Sequence, residues 1–115
     1  MKQRLLVMNG QRLVQIEREG HWATEKVEKA AGVKPGIYNI YLALDADKAK
    51  AHEGIILHVD QNHLYQQSAK GFVRHLLADF NEVPDVGINA GINYATGAAK
   101  TAQLTSGRRL KRGIS

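Results

Sequence analysis

The sequence predicts a mainly β domain, and three features of the chain support this prediction. Short runs of apolar, aromatic and β-branched residues recur along most of the 115 residues. Eleven glycines, many of them between these runs, suit tight reversals of the chain. In the middle of the chain the runs are separated by about three or four residues, which is short enough for antiparallel hairpins. We therefore expect a small antiparallel barrel, an SH3-like or OB-like meander, because closure removes exposed sheet edges.

The amino-terminal strands are the first elements that the pattern predicts. Apolar runs at 5–8 and 12–16 flank Asn9-Gly10. Both turn residues tolerate the positive φ of a tight primed turn, so this dipeptide is a strong hairpin signal. A third strand is predicted over 21–27, after a second turn.

The following segment contains one clear strand and two places where helical turns are possible. Residues 25–31 are alternatively a short helix, since Glu, Lys and Ala favour helices. Residues 37–42 form the clearest strand of the chain, rich in β-branched and aromatic residues. Residues 45–52 are polar with little apolar periodicity, which indicates a long loop or a single helical turn.

The second half of the chain is predicted as a meander of strands and turns that ends in a weak hairpin. Its turns contain Asp, Asn, Ser and Gly, which suit tight reversals. In order, the predicted elements are strands over 54–59, 63–67 and 72–75, a brief helix over 76–81, and hairpin strands over 88–94 and 98–104.

Positive charge is concentrated at the carboxy-terminal end. The chain has 16 Lys and Arg against 11 Asp and Glu, a formal net charge of +5. Residues 108–115 hold four of the 16 basic residues and no acid, so the rest carries 12 against 11. We therefore predict one β domain over 1–104 and a disordered, flexible basic tail over 105–115.

Composition and motifs exclude several classes of protein and argue against others. The chain has no cysteine, which excludes disulfides and thiolate metal sites. It has no GxSxG, GxGxxG or HExxH motif, and its five histidines have no HxH spacing. We therefore predict that it is not an enzyme and has no catalytic residues, cofactor or metal ligands.

The apolar run near the start bears on where the protein works. It is only four residues long, from 5 to 8, whereas the apolar part of a signal peptide needs about 7–15 residues. We expect a cytoplasmic protein, with no membrane association.

Nucleic-acid binding is an alternative that the residues leave open. Small barrels bind single strands with exposed aromatic side chains beside a basic groove. Four tyrosines fall in predicted strands, namely Tyr38, Tyr41, Tyr65 and Tyr94. The candidate contacts for phosphates or for an acidic partner are Lys70, Arg108, Arg109, Lys111 and Arg112.

Between residues 54 and 94 the chain carries five motifs in a fixed order. They are a glycine-led strand ending in His58-Val59-Asp60, the Tyr65-Gln66-Gln67 strand, His75 closing the next strand, a Val83-Pro84-x-Val86-Gly87 turn, and the Ile92-x-Tyr94 strand. With these motifs in this order, the chain resembles a known family, the KfrB domain of broad-host-range conjugative plasmids.

The resemblance implies a plasmid accessory protein of conjugative transfer or plasmid maintenance. It further implies a docking module that binds plasmid-encoded maintenance or transfer proteins. The side chains that we expect to form the interaction surface are His58, Tyr65, Gln66, Gln67, Arg74 and His75. For His58 and Tyr65, packing in the core is the alternative.

Overall fold

The structure is a computed structural model that describes residues 2–104. Ten strands form two sheets, and two short 3-10 turns, Ile40–Leu42 and Leu77–Asp79, lie between strands. The strands are β1 (Gln3–Met8), β2 (Gln11–Arg18), β3 (His21–Lys29), β4 (Gly36–Tyr38), β5 (Leu44–Asp45), β6 (His52–Val59), β7 (His63–Ser68), β8 (Gly71–Leu76), β9 (Asn89–Asn93) and β10 (Lys100–Gln103). The predicted mainly β class is confirmed.

The first sheet contains the amino-terminal strands in the order β3-β2-β1-β4, all antiparallel. The predicted hairpin at Asn9-Gly10 is confirmed, with φ values of 52° and 74° that match a primed turn. A similar pair of positive φ values at Glu19 and Gly20 connects β2 to β3.

The second sheet has the order β10-β9-β6-β7-β8-β5. Its strands pair antiparallel except for the short β5, which runs parallel to β8 at one edge. The predicted meander from β6 to β8 and the predicted last hairpin, β9 with β10, are confirmed.

The predicted closed barrel is not confirmed, because the described strands lie in two open sheets. The sheets bury their facing sides in a shared apolar cluster, so the fold removes apolar surface by stacking rather than by closure. This cluster consists of Leu5, Val7, Val14, Val33, Tyr38, Ile40, Leu57 and Tyr65.

A second apolar cluster covers the opposite face of the second sheet. The segments 77–88 and 94–99, on either side of β9, pack over that face. The buried members of the cluster are Ile56, Leu64, Ala90, Ile92, Tyr94 and Ala99. The second sheet is therefore covered on both faces, whereas the first sheet contributes to a core on one face only.

Several local predictions change in the structure. The alternative helix over 25–31 is wrong, because β3 extends to Lys29 and pairs with β2 along its length. The strand predicted over 37–42 ends at Tyr38 and gives way to a 3-10 turn. The brief helix predicted over 76–81 is confirmed only in part, because the structure has a 3-10 turn at Leu77–Asp79 and Leu76 belongs to β8. The predicted tail over 105–115 lies outside the described residues.

The Val-Pro-x-Val-Gly turn docks on the loop that follows β3. Gly87 has a φ of 95°, and a Cβ there would lie 1.8 Å from the carbonyl oxygen of Ala31. Its amide also donates to the carbonyl of Ile56 at 2.8 Å. Only glycine permits this backbone-on-backbone contact, which connects the two halves of the chain.

Within residues 2–104, no helix has the length and the apolar character needed to cross a membrane.

Candidate functional site

The structure places most of the predicted interaction surface inside the protein. His58, Tyr65, Gln66 and His75 are buried. Of the six predicted residues, Gln67 is exposed and Arg74 is half-buried. The expectation of an exposed surface is corrected for the four buried side chains, because both faces of the second sheet, to which β6, β7 and β8 belong, pack against a core. For His58 and Tyr65, core packing was the alternative that the sequence left open.

Three of the buried polar side chains form one hydrogen-bonded chain, the Gln66–His75–Tyr94 chain. The Gln66 amide nitrogen donates to the carbonyl of Ala90 at 2.9 Å and lies 3.2 and 3.3 Å from two carbonyls of β6. The Gln66 carbonyl oxygen must then be the acceptor for His75 Nε2 at 2.9 Å. His75 Nδ1 is left to accept from the Tyr94 hydroxyl. The chain thus connects β6, β7, β8 and β9.

The ionisation of this chain agrees with its hydrogen bonds. Burial lowers the pKa of His75 to about 4, and the charge of nearby His52 acts in the same direction. Burial likewise raises the pKa of Tyr94 to about 12. At neutral pH His75 is therefore a neutral imidazole with its proton on Nε2, and Tyr94 keeps its proton. Each polar group has a partner, so the chain stabilises the fold.

A second buried polar group lies between the two sheets. Arg12 donates to the Lys29 carbonyl at 3.0 Å and pairs with a Glu28 oxygen at 3.1 Å. His58 Nδ1 lies 3.7 Å from the same oxygen. Burial, followed by the charge of Arg12, lowers the pKa of His58 to about 4. His58 is therefore neutral at neutral pH. The charges of Arg12 and Glu28 then balance each other, and His58 adds no further charge to this group.

The basic residues near the β7–β8 hairpin do not form the expected groove. Arg74 donates to Asp45 through Nε at 2.8 Å and Nη2 at 2.7 Å, so its charge is neutralised. Lys70 is exposed in the turn of this hairpin. Tyr65, the nearby tyrosine, is buried. The four tail residues of the same prediction, Arg108, Arg109, Lys111 and Arg112, lie outside the described residues.

Of the four tyrosines considered for base stacking, only Tyr41 is exposed, at 38%. It belongs to a group that we call the aromatic–cationic patch, formed by Lys2, Arg4, Trp22 and Tyr41. The two ring centroids are 6.1 Å apart. Lys2 Nζ lies 5.2 Å from the Tyr41 centroid, and Arg4 Cζ lies 4.3 Å from the Trp22 centroid.

Sequence reasoning missed this patch because it joins three separate segments. Period-two alternation on β1 does give a signal, since Leu5 and Val7 face the core and Lys2 and Arg4 must then face outward. The pairing of Trp22 with β2 and the position of Tyr41 in a 3-10 turn had no comparable signal.

The same outer face carries an apolar row, formed by Leu6, Leu13, Val27 and Ile37. These residues are direct cross-strand partners, one from each strand of the first sheet. Val27 is 53% exposed and Ile37 is 56% exposed, and the other two are half-buried. The row adjoins the patch because Arg4 and Leu6 are next to each other on this face of β1.

The surface of the described residues includes open depressions, and two of them are defined by their lining residues. One has a volume of about 610 Å³ and lies between β10 and the loop around Pro84, and the other has a volume of about 460 Å³ and lies beside Asp60. No histidine lines either depression. Among residues 2–104, no three His, Asp or Glu side chains are grouped so that they could hold a metal ion.

Comparisons with known proteins give two matches. A family model described as the KfrB Domain matches residues 51–103, which contain β6 to β10. Protein TraB of Escherichia coli is 39% identical over 100 residues, covering 84% of this chain and 68% of TraB. The similarity to TraB therefore extends beyond the segment that the family model matches.

Proposed function

This chain belongs to the KfrB domain family, and we propose that it is a non-enzymatic plasmid accessory protein that binds a protein partner in conjugative transfer or plasmid maintenance. The family is associated with plasmids, and the name of the relative TraB supports a role in transfer. We place this activity in the bacterial cytoplasm, and the absence of cysteine is in keeping with a reducing compartment.

The apolar row is the observation that carries the proposal. An antiparallel sheet with one free face normally has polar side chains on that face. Here four apolar side chains lie side by side across the first sheet, and Met8 adds a further exposed side chain at 42%. A contiguous apolar strip of this kind is typical of a surface that another protein covers.

The distribution of exposed apolar residues points to the same half of the chain. Of the eight large hydrophobic side chains that are exposed in the described residues, six precede residue 51, and three of these, Met8, Val27 and Ile37, lie on strands of the first sheet. The segment that matches the family model contributes only Leu76 and Val83 to this set. The docking surface that we propose is therefore the outer face of the first sheet.

A double variant, Val27→Ser with Ile37→Ser, tests this proposal in cells that carry the parent plasmid. Both side chains are more than half exposed, so the free energy of unfolding should change by less than about 1 kcal/mol. Loss of two buried interface side chains should weaken partner binding about tenfold or more. We expect the frequency of plasmid transfer, or the retention of the plasmid without selection, to fall accordingly.

The matched control is Leu44→Ser, which removes an apolar side chain that is 75% exposed at the edge of the second sheet. It should leave transfer and retention unchanged. Wild-type transfer and retention in the folded double variant would contradict the proposal. Nucleic-acid binding, the alternative function, has support in a different part of the same face, where Tyr41 is exposed.

A further inference from the structure

The aromatic–cationic patch is held in place by the core beneath it. Tyr41 follows Ile40, which is 1% exposed and packs between the sheets, so the 3-10 turn that carries Tyr41 is anchored. Trp22 pairs with Glu17 next to the turn of the β2–β3 hairpin, where the backbone of both strands is hydrogen-bonded. The two rings are therefore preorganised on the surface, which lowers the entropy cost of binding a ligand there.

The cations of the patch differ from the two other arginines of the first sheet. Arg12 and Arg18 each pair with a carboxylate. Within residues 2–104, neither Lys2 nor Arg4 lies within ion-pair distance of an acid. Arg4 Nε instead donates to the neutral Gln15 at 2.8 Å. This hydrogen bond orients the guanidinium group and leaves its charge uncompensated.

A ligand that matches this arrangement presents flat π surfaces and anionic groups together. Single-stranded nucleic acid does so, since its bases stack on aromatic rings or guanidinium planes and its phosphates bind cations. In a duplex the base faces are covered by neighbouring bases, so the rings cannot reach them. An acidic peptide provides the charge but not the flat surfaces, and would not need Tyr41.

We propose that the aromatic–cationic patch binds single-stranded nucleic acid, with bases against Tyr41 and Trp22 and phosphates against Lys2 and Arg4. A bound base extends or replaces the cation–π contacts that the rings make in the free protein. The proposal is independent of the protein partner, because it uses the end of the sheet face that the apolar row does not occupy.

The sole tryptophan of the chain provides a direct measurement, because Trp22 is itself in the patch. The full chain is titrated with an oligothymidylate of about twelve nucleotides, and Trp22 fluorescence is recorded over a series of salt concentrations. We expect saturable quenching that weakens as salt rises. Arg4→Gln should reduce the slope of log affinity against log salt by about 0.7, the loss of one phosphate contact.

Substitution of Tyr41 separates stacking from charge. Tyr41→Leu keeps an apolar side chain at a partly exposed position, and should weaken binding of the oligonucleotide about tenfold. Glu17→Gln removes the acid next to Trp22 and should tighten binding, which is the opposite sign. Lys70→Gln is the matched control for a distant exposed cation, and should leave quenching unchanged.

The basic tail is tested in the same experiment. Replacing Arg108, Arg109, Lys111 and Arg112 by glutamine should lower overall affinity but leave the quenching of Trp22 in place. The proposal is overturned if the oligonucleotide does not quench Trp22 in the full chain. It is also overturned if Tyr41→Leu has no effect, or if an acidic polyglutamate peptide binds as tightly as the oligonucleotide. Those last two results would identify an acidic protein as the ligand.

Discussion

The two sheets of this protein use their faces in opposite ways. The second sheet is covered on both sides and contains a saturated chain of buried polar side chains. The first sheet is covered on one side and presents an apolar row and an aromatic–cationic patch on the other. This contrast supports our proposal that the first sheet supplies the binding surface, with the second sheet as its scaffold.

The family motifs follow this division. Gln66, His75, Gly87 and Tyr94 belong to the pattern by which the chain resembles the KfrB domain, and all four make contacts within the fold. The motifs therefore identify a structure more directly than a binding surface. The residues that we propose to bind partners lie outside the matched segment, 51–103.

The largest effect should come from the glycine that connects the two halves of the chain. Gly87→Ala places a Cβ 1.8 Å from the Ala31 carbonyl oxygen and should cost about 3–5 kcal/mol of unfolding free energy. Gly97→Ala is the matched control, since its φ of 92° is almost the same and no atom lies within 4 Å. It should cost about 1 kcal/mol, the strain alone. Urea unfolding measures both, and equal costs would show that the contact with Ala31 is not tight.

Acidification should destabilise the protein through its two buried histidines. His58 and His75 have a pKa of about 4 in the folded state and 6.5 as the ordinary value. The unfolded chain therefore binds protons more readily, and stability is lost as pH falls from about 6.5 towards 4. We expect a loss of about 2 kcal/mol per histidine between pH 7 and pH 5.

A variant assigns this pH dependence to residues. His58→Gln removes one of the two groups, so urea unfolding at pH 7, 6 and 5 should show about half of the wild-type slope. An unchanged slope would mean that His58 stays neutral, or is protonated, in both states.

Breaking the buried polar chain should have a somewhat smaller effect. Gln66→Leu has similar size but removes the donor to Ala90 and the acceptor for His75. Unsatisfied buried groups cost about 1–3 kcal/mol each, and partial relaxation should limit the total to about 2–3 kcal/mol. Thermal unfolding measures the loss. An unchanged unfolding temperature would show that the polar chain does not stabilise the fold.

The smallest effect should come from the exposed face of the first sheet. Val27→Thr changes a side chain that is 53% exposed, and should alter the free energy of unfolding by less than about 0.5 kcal/mol. A cost close to that of Gln66→Leu would remove the contrast between the sheets, because it would show that the face is part of a packed core.

The sequence predicted the elements that depend on local signals. The Asn9-Gly10 hairpin, the strands of the central meander and the last hairpin follow from turn chemistry and β propensity, and these were correct. The arrangement of strands in two sheets was not predicted. It depends on long-range pairing, such as that of β1 with β4 and of β6 with β9, which has no local sequence signal.

The candidate surface failed for a different physical reason. Gln66 and His75 are polar, and polar residues on strands are usually exposed. Here each satisfies the other in the interior, and no pattern within one strand shows that Gln66 on β7 lies against His75 on β8 and, through it, Tyr94. The aromatic–cationic patch was missed for the same reason, since it is assembled from β1, β3 and a 3-10 turn.

The hydrogen bonds of the Gln66–His75–Tyr94 chain all run in one direction. The Tyr94 hydroxyl donates to His75, His75 donates to the Gln66 carbonyl oxygen, and the Gln66 amide donates to Ala90. Loss of the Tyr94 hydroxyl leaves His75 Nδ1 without a donor, whereas the Gln66 carbonyl oxygen still requires the proton on Nε2. The costs of substitution should therefore be non-additive, and a double-mutant cycle of Gln66→Leu with Tyr94→Phe should show coupling of about 1 kcal/mol or more. Among related sequences, we therefore expect substitutions at these three positions to occur together rather than singly.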